Sequence, residues 1–451
     1  MEQRFSYDEV VFHPDAAARF NELGNKLRDH VRVVTKTQRA PVSRYTPYPA
    51  GKVRPEDVIG KVVMTDHIVD NLGREEGRVW TIRDKHVGLM GDDYQELKAL
   101  AGAMAKTPAL RGRVDVAFLV NEISLWVQAT LEGSSTEALV TCISTRCQEA
   151  IKEYEIWVPL FRVHASDSFS IGDVLFQKIT PAVMDRFFTK PASTPVPEAA
   201  RVRLERLRSQ LQNHLAACVK VTGEKKTAQA IARSKAEVAV ALVRLLSPAN
   251  WNLNFRSYCL PLGREQVEIP TELFVEGGEV HEISRETIER GPAFWDLDPD
   301  RARFPGLLDL LHSIARDHLR DVRRQLYDAL LLYSRNSTAS ETTDKLVFVI
   351  VSLESMLLKD SNEPITKNIG ERMAFLIENT VEERRAVIHN VDAAYRIRSK
   401  FIHHGESAEE SGVIEQFCAN VWKCFYSLLH QMDGFTTKTD LIEALENRKL
   451  S

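Results

Sequence analysis

The sequence predicts an α+β chain, with a mixed α/β N-terminal region followed by a C-terminal all-α helical bundle. Three observations carry this. Short apolar runs bounded by turn residues alternate with helical patterns through the first 190 residues. A proline-rich break at "TKPASTPVPEAA", residues 189 to 200, excludes regular pairing there. Beyond Pro305 the apolar residues recur at three- and four-residue steps, the period of a helix face. The expected divisions are 1–190 (mixed α/β), 201–295 (a helical segment with short strands that can belong to the same region) and 300–451 (the bundle).

Composition sets the bounds. The 451 residues suffice for two or three domains with a buried core, and 44% hydrophobic with 27% charged residues suits a soluble globular protein. A net charge of -4 gives no global basic signature, so any nucleic-acid contact has to be local. The N-terminus carries no apolar leader segment, and the longest apolar run, "LVFVIVSL", is far below the roughly 18 residues a membrane span needs. The 6 cysteines are scattered without a C-x-x-C pair, which argues against a zinc site or disulfide framework. No metal or cofactor is expected, and the cytoplasm is the expected location.

Taken in order, "GKVVMTDHIV", "GRVWTIRD" and "VDVAFLV" read as strands or buried segments, and "DDYQELKALAGAMAKT" as a helix. "STRCQEAIKEY" looks helical, and "EIWVPLFRVHA" with "IGDVLFQKI" alternates like paired strands. Arg201 to Leu246 reads as helical, followed by short strand-like pieces to Thr287 and a boundary at 296 to 305. One long amphipathic helix is expected after Pro305, carrying Leu308, Leu311, Ala315, Leu319, Val322, Leu326 and Leu330 on its stripe. "NSTASETT" breaks it and offers N-caps to "DKLVFVIVSLESMLLK", the buried central helix. "ITKNIGERMAFLIENT", "VEERRAVIHNVDAAYRIRSKFIHH" and "VIEQFCANVWKCFYSLLHQM" complete a bundle of about five helices.

The chemical signal lies in "YRIRSKFIHHGES". Arginine and histidine four to six residues apart is a weak pattern that recurs by chance, as at Arg208 with His214 and Arg384 with His389. Both of those pairs read as exposed charges on amphipathic helices. Arg398 differs, because Ala394, Tyr395, Ile397, Phe401 and Ile402 form an apolar band around it. A cation beside such a band needs a partner or a purpose, and Glu354, the acidic residue of the apolar central helix, is the candidate partner. His403 and His404 fall in the last turn before Gly405, where the helix dipole favours the imidazolium. A histidine titrating near neutrality beside a fixed cation suits proton transfer next to a phosphate. C-capping histidines with one structural salt bridge remain the alternative.

The run "VFVIVSLESMLLKDS…ITKNIGERMAFLIEN…AAYRIRSKFIHHGE" resembles the Apea-like HEPN domain, of the wider HEPN ribonuclease superfamily. The landmarks are an L-E-x-L-like core helix at Leu353 to Leu357, Arg372 with Ala374, and Y-x-x-R-S-x-x-x-H from Tyr395 to His403. They cover roughly residues 300 to 445. One departure is that His404 stands between His403 and Gly405, where the family places glycine directly after the histidine.

The resemblance implies a metal-independent endoribonuclease whose composite site forms at a homodimer interface through this domain. Arg398 and His403 take the catalytic roles, with Ser399, His404, Glu354, Arg372 and Tyr395 in support. Glu354 and Arg372 are expected to be structural rather than catalytic. RNA is then the substrate. By analogy with fused defence and toxin systems, the N-terminal region would sense a phage- or host-derived trigger in bacterial antiviral defence. The competing reading is a non-catalytic module that binds a nucleotide, RNA or protein.

Other motifs are weak. "TGEKKTA" lacks the upstream glycine of a phosphate loop, and "HSIARDH" lacks the spacing of a zinc helix. Arg320, Arg323 and Arg324 read as a solvated face that could track an RNA backbone. Trp157, Phe161 and Phe176 read as strand core.

Overall fold

In the computed structural model the chain divides into two units that interleave along the sequence: residues 1–156, 191–210 and 220–232 form one, and 157–190, 211–219 and 233–451 the other. The structure describes residues 9–34, 66–69, 74–188, 198–257, 259–263, 271–276, 279–285, 294–316, 321–360, 362–404 and 410–449. The fold is α+β.

The first unit opens with helix α1 (Pro14–Asp29) and strands β1 (Arg32–Val33), β2 (Asp66–Val69), β3 (Glu75–Ile82) and β4 (Lys85–Met90). These strands make an antiparallel sheet in the order β1-β4-β3-β2. β3 and β4 are joined by Arg83 and Asp84, both at positive φ (46° and 63°), the geometry of the two-residue hairpin turn that matches strand twist. Helices α2 (Asp92–Ala105), α3 (Val116–Glu132) and α4 (Leu139–Ala150) follow. Leu97, Leu119, Ile123, Trp126 and Ile143 from these helices form one core with Trp80 and Leu89 of the sheet. "VDVAFLV", expected as a strand or buried segment, is the partly buried start of α3 and not a strand. Its apolar run is continuous because Leu119, Val120 and Ile123 are all buried on a helix that Gly133 ends in the left-handed region at φ 73°.

The chain passes between the units within β5 (Lys152–Phe161), and then forms β6 (Val163–His164), β7 (Phe169–Ile171), β8 (Val174–Lys178), α5 (Pro181–Phe188), α6 (Glu198–Leu211), β9 (Leu215–Gly223) and α7 (Lys225–Val243). Strands β10 (Leu260–Pro261), β11 (Thr271–Glu276), β12 (Glu279–Arg285) and β13 (Trp295–Asp296) come next. A five-stranded sheet runs β10-β5-β9-β8-β7, so β9 separates the two strands expected to pair. Here the structure corrects the expectation of helix from Arg201 to Leu246. Leu215 to Val219 are buried without alternation, because a central strand hides both its faces, and such a run has no period-two signature. Of the proline-rich break, 189–197 lie outside the described residues, and α6 begins at Glu198.

Among the described residues the C-terminal part is built of helices: α8 (Leu297–Arg303), α9 (Leu307–Arg316), α10 (Asp321–Tyr333), α11 (Thr342–Leu357), α12 (Ile365–Ile377), α13 (Val381–His404), α14 (Ser411–Gln431) and α15 (Lys438–Lys449). The stretch 296–305 contains a short helix, its N-terminus capped by the Asp296 carboxylate. The single long helix after Pro305 is described as two, α9 and α10, with 317–320 outside the described residues. Gly306, at φ +81°, sits before the first of them. The bundle thus exceeds the five helices expected.

α11 is its centre, as its sequence predicts. Leu346, Val349, Ile350, Leu353, Met356 and Leu357 are each at most 1% exposed, packed by α10, α12, α13 and α14. Each such side chain contributes roughly 1.5–3 kcal/mol of transfer free energy, and this outweighs the modest helix propensity of "LVFVIV". Its N-cap is Glu341, which makes no side-chain capping bond, so burial and not capping holds the helix.

Candidate active site

α13 has two faces set by its spacing. Val387, Val391, Ala394 and Ile397 recur at steps of three and four and are buried, which orients the helix on α12 and α14. That phase puts His389, Asp392, Arg396 and Ser399 on a second stripe, again at steps of three and four. Together with Tyr395 and Arg398 they line an open cleft of about 680 Å³. Glu354 of α11 and Ile365 and Thr366 at the start of α12 complete its wall.

Arg398 is half-buried, and its Nε is shielded from solvent without a hydrogen-bond partner. The expected ion pair with Glu354 is absent among the described residues. The Glu354 carboxylate instead accepts the Tyr395 hydroxyl at 3.0 Å. Tyrosine wins because its rigid ring delivers the hydroxyl to α11 at little entropic cost, whereas an arginine has several torsions to fix. Burial first, then the Glu354 charge and hydrogen bond, push the Tyr395 phenol far above its ordinary range, with Arg398 pulling the other way. Tyr395 is therefore a fixed neutral donor at any physiological pH. Its bond settles the Glu354 side chain and leaves the guanidinium open to the cleft.

The remaining expected residues separate. Arg372 does not line the cleft. It is 4% exposed and grips Glu363 with two nitrogens at 2.6 and 2.8 Å, Glu446 at 2.7 Å and the Leu357 carbonyl at 2.7 Å. Burial opposes its charge, but the two carboxylates more than compensate and raise its pKa. The same hydrogen bonds hold the Glu363 carboxyl below its usual range. Arg372 is thus a clamp joining the end of α11, α12 and α15, with Ala374 beside it fully buried. Ser399 is exposed on the cleft rim.

α13 continues through His404, while the side chains of residues 402 to 404 and all of Gly405 lie outside the described residues. The helix-end cap and the histidine titration expected there fall in that stretch. The backbone phase still distinguishes the two positions. Position 403 is one turn beyond Ser399 and continues the cleft-lining stripe, while 404 is about 100° further round.

His389 and Asp392 were missed as cleft residues, since His389 reads as part of the charge cluster that opens α13. The signal was available: 389, 392, 396, 399 and 403 form one unbroken three-four series of polar residues. Its companion Arg384 is structural, stacking on Phe375 at 4.1 Å and donating from Nε to the Glu378 carbonyl at 3.0 Å.

Other motifs resolve as packing. Arg323 is not solvated. It is 13% exposed, paired with Asp433 at 3.4 Å and bonded to Ser313 at 3.2 Å. Arg324 is exposed beside Asp328, and Arg320 lies outside the described residues. The "TGEKKTA" segment cannot cradle phosphate, because the Glu224 carboxylate already accepts the backbone N–H groups of Lys226 and Thr227 at 2.9 and 3.1 Å. Phe176 is fully buried and stacks on Phe169 at 4.8 Å.

Among the described residues, His164, Asp296 and Asp298 are the group whose ligand atoms could share a metal ion. They are otherwise engaged. The Lys178 ammonium lies 3.1 Å from His164, Asp296 caps α8, and Asp298 accepts the Ser166 N–H at 2.9 Å. No helix among the described residues is long and apolar enough to cross a membrane. Compared with protein-family models, curated proteins and solved structures, the chain returns no match.

Proposed function

We propose that the C-terminal bundle is a HEPN-type endoribonuclease, acting without a metal as a homodimer, with the α13 cleft as half of its composite site. The observation that carries this reading is Arg398, a half-buried guanidinium in an open cleft with no ion-pair partner among the described residues. An arginine held this way is set to receive phosphate oxygens bidentately. In the proposed reaction an RNA 2′-oxygen attacks the adjacent phosphorus and the bond to the 5′-oxygen breaks. His403 of one copy takes the 2′-hydroxyl proton, and His403 of the second copy protonates the leaving 5′-oxygen. The arginines of both copies stabilise the extra charge on the phosphoryl oxygens. Two-fold symmetry brings the same segment from each copy to one cleft. Position 403 on the cleft stripe supports His403 over His404 as the proton carrier. Cytoplasmic action in bacterial antiviral defence, with the N-terminal region as sensor of a phage- or host-derived trigger, completes the proposal by analogy.

A second reading, a non-catalytic module that binds a nucleotide, RNA or protein, is favoured by one observation. Within one copy the cleft carries Glu354 and Asp392 as well as Arg396 and Arg398, so its charges balance. Incubation with total RNA in EDTA distinguishes the two. Fragments ending in 2′,3′-cyclic phosphate support the nuclease, and retention of intact RNA supports the binding module.

A further inference from the structure

A second site lies wholly within the first unit and is independent of the nuclease reading. Arg78, on β3, is 6% exposed, an unusual place for a cation. Gly88 on the neighbouring strand lets the two backbones approach closely, since a Cβ there would collide with the Arg78 carbonyl. Nη1 of Arg78 donates to two neutral groups of α3, Asn121 Oδ1 at 3.2 Å and Ser124 Oγ at 3.3 Å. Its Nε is buried without a hydrogen-bond partner, and no carboxylate pairs with the guanidinium among the described residues. The Tyr94 hydroxyl, itself bonded to Glu75, also lies against the guanidinium. A buried cation whose direct partners are neutral groups is expensive unless an anion completes it.

The space beside Arg78 is an open cleft of about 760 Å³. The first turn of α3 forms part of its wall. There the first helical bond runs from the Leu119 N–H to the Asp115 carbonyl, and the Asp115 side chain makes no cap, so the preceding N–H groups stay open. Lys226 adds an ammonium group, and Lys98 a second that already donates to the Glu75 carbonyl at 3.2 Å and lies over the Tyr94 ring. The wall also carries four carboxylates, and three are engaged. Glu75 accepts the Tyr94 hydroxyl, Glu122 accepts Asn121 at 3.2 Å, and Glu224 caps α7. Asp115 is the fourth, half-exposed at the start of α3.

We propose that this cleft binds a small phosphate-bearing ligand, its phosphate seated between the Arg78 guanidinium and the first turn of α3. The guanidinium fork and successive backbone N–H groups offer more donors than one carboxylate can accept, and a phosphate monoester has the oxygens to take them. The volume leaves room for the group that carries the phosphate.

The test uses the full chain, inorganic phosphate as probe and ³¹P line broadening as readout, with acetate as competitor. The wild type should broaden the signal, and Arg78→Gln should weaken binding by about tenfold or more. Since Arg78→Gln could impair folding, Asn121→Asp is the second variant. It places a carboxylate on the guanidinium, and should abolish phosphate binding while raising the melting temperature of the ligand-free chain. Broadening should persist in Arg398→Ala, which separates this site from the α13 cleft. No broadening with the wild type, equal broadening in Asn121→Asp, or displacement by equimolar acetate would overturn the proposal.

Discussion

Replacing Arg372 by alanine should be among the most damaging single changes in the bundle. The side chain is 4% exposed, and its removal takes the counter-charge from the Glu363 carboxylate, itself 13% exposed and left with the neutral donors of the Lys359 N–H and the Asn368 amide, and takes a donor from the Leu357 carbonyl. Breaking a buried pair from one side costs roughly 3–5 kcal/mol, because the remaining charge stays buried. Glu446 is 41% exposed, so solvent replaces its lost partner and it adds about 0–1 kcal/mol. Lysine at 372 keeps the charge but cannot span both Glu363 oxygens and the carbonyl, so it should recover only part of the loss. The effect has a pH signature. The folded pKa of Glu363 lies below its ordinary value of 4.5, so its contribution is complete above that value and disappears as pH falls through the folded pKa. Wild type and Arg372→Ala should therefore converge in stability as acidification passes below the folded pKa of Glu363. Native-state hydrogen exchange of the α12 and α15 amides measures the loss locally, without assuming that both units unfold together. Protection of those helices within about 1 kcal/mol of wild type would refute the clamp.

The other expectations concern smaller sets of atoms. His403→Ala should lower the initial rate of RNA cleavage by ~10²–10⁴-fold and Arg398→Ala by ~10²–10³-fold, both with unchanged melting, while His404→Ala keeps most activity; the reverse order for the two histidines would overturn the register. Tyr395→Phe should cost about 0.5–1.5 kcal/mol in urea unfolding of the bundle, because Glu354 loses its donor but is only half-buried. Glu224→Ala should expose the first turn of α7 to faster amide exchange, at a cost of about 1–2 kcal/mol, with the five-stranded sheet unaffected.

The bundle was largely legible in the sequence because its helices each bury one stripe, and a 3.6-residue period survives in the residues themselves. Val387, Val391, Ala394 and Ile397 mark α13 this way. Legibility fails where burial is two-sided. β9 hides both faces and reads as alanine-rich helix, and the start of α3 hides enough of itself to read as strand. The candidate site was half legible for a related reason. Its arginine stood out by its apolar neighbours, but pairing is a matter of distance across elements, and no spacing along α13 reveals that Tyr395 reaches Glu354 first. His389 sits beside Arg384 in a charged stretch of sequence and reads as an exposed pair, whereas the cleft is built from a stripe. Arg78 gives no sequence signal, since its side chain is held by polar groups more than forty residues away.

The interleaving of the two units bears on how the chain is made. The first unit takes its last piece from 220–232, yet the second has already begun at 157. On the ribosome, a chain emerging N-terminus first offers β5 and β8 before β9, the strand that lies between them, exists. Domains that follow one another can fold in succession during synthesis. Here the second unit cannot close its sheet until β9 has emerged, and its bundle arrives only with the last third of the chain. A cut between 190 and 198 leaves each product with part of both units, so neither fragment is a domain. Nascent chains stalled before β9 should thus present the edges of β5 and β8 unpaired, an interval in which a chaperone, or a second nascent chain, can compete for them.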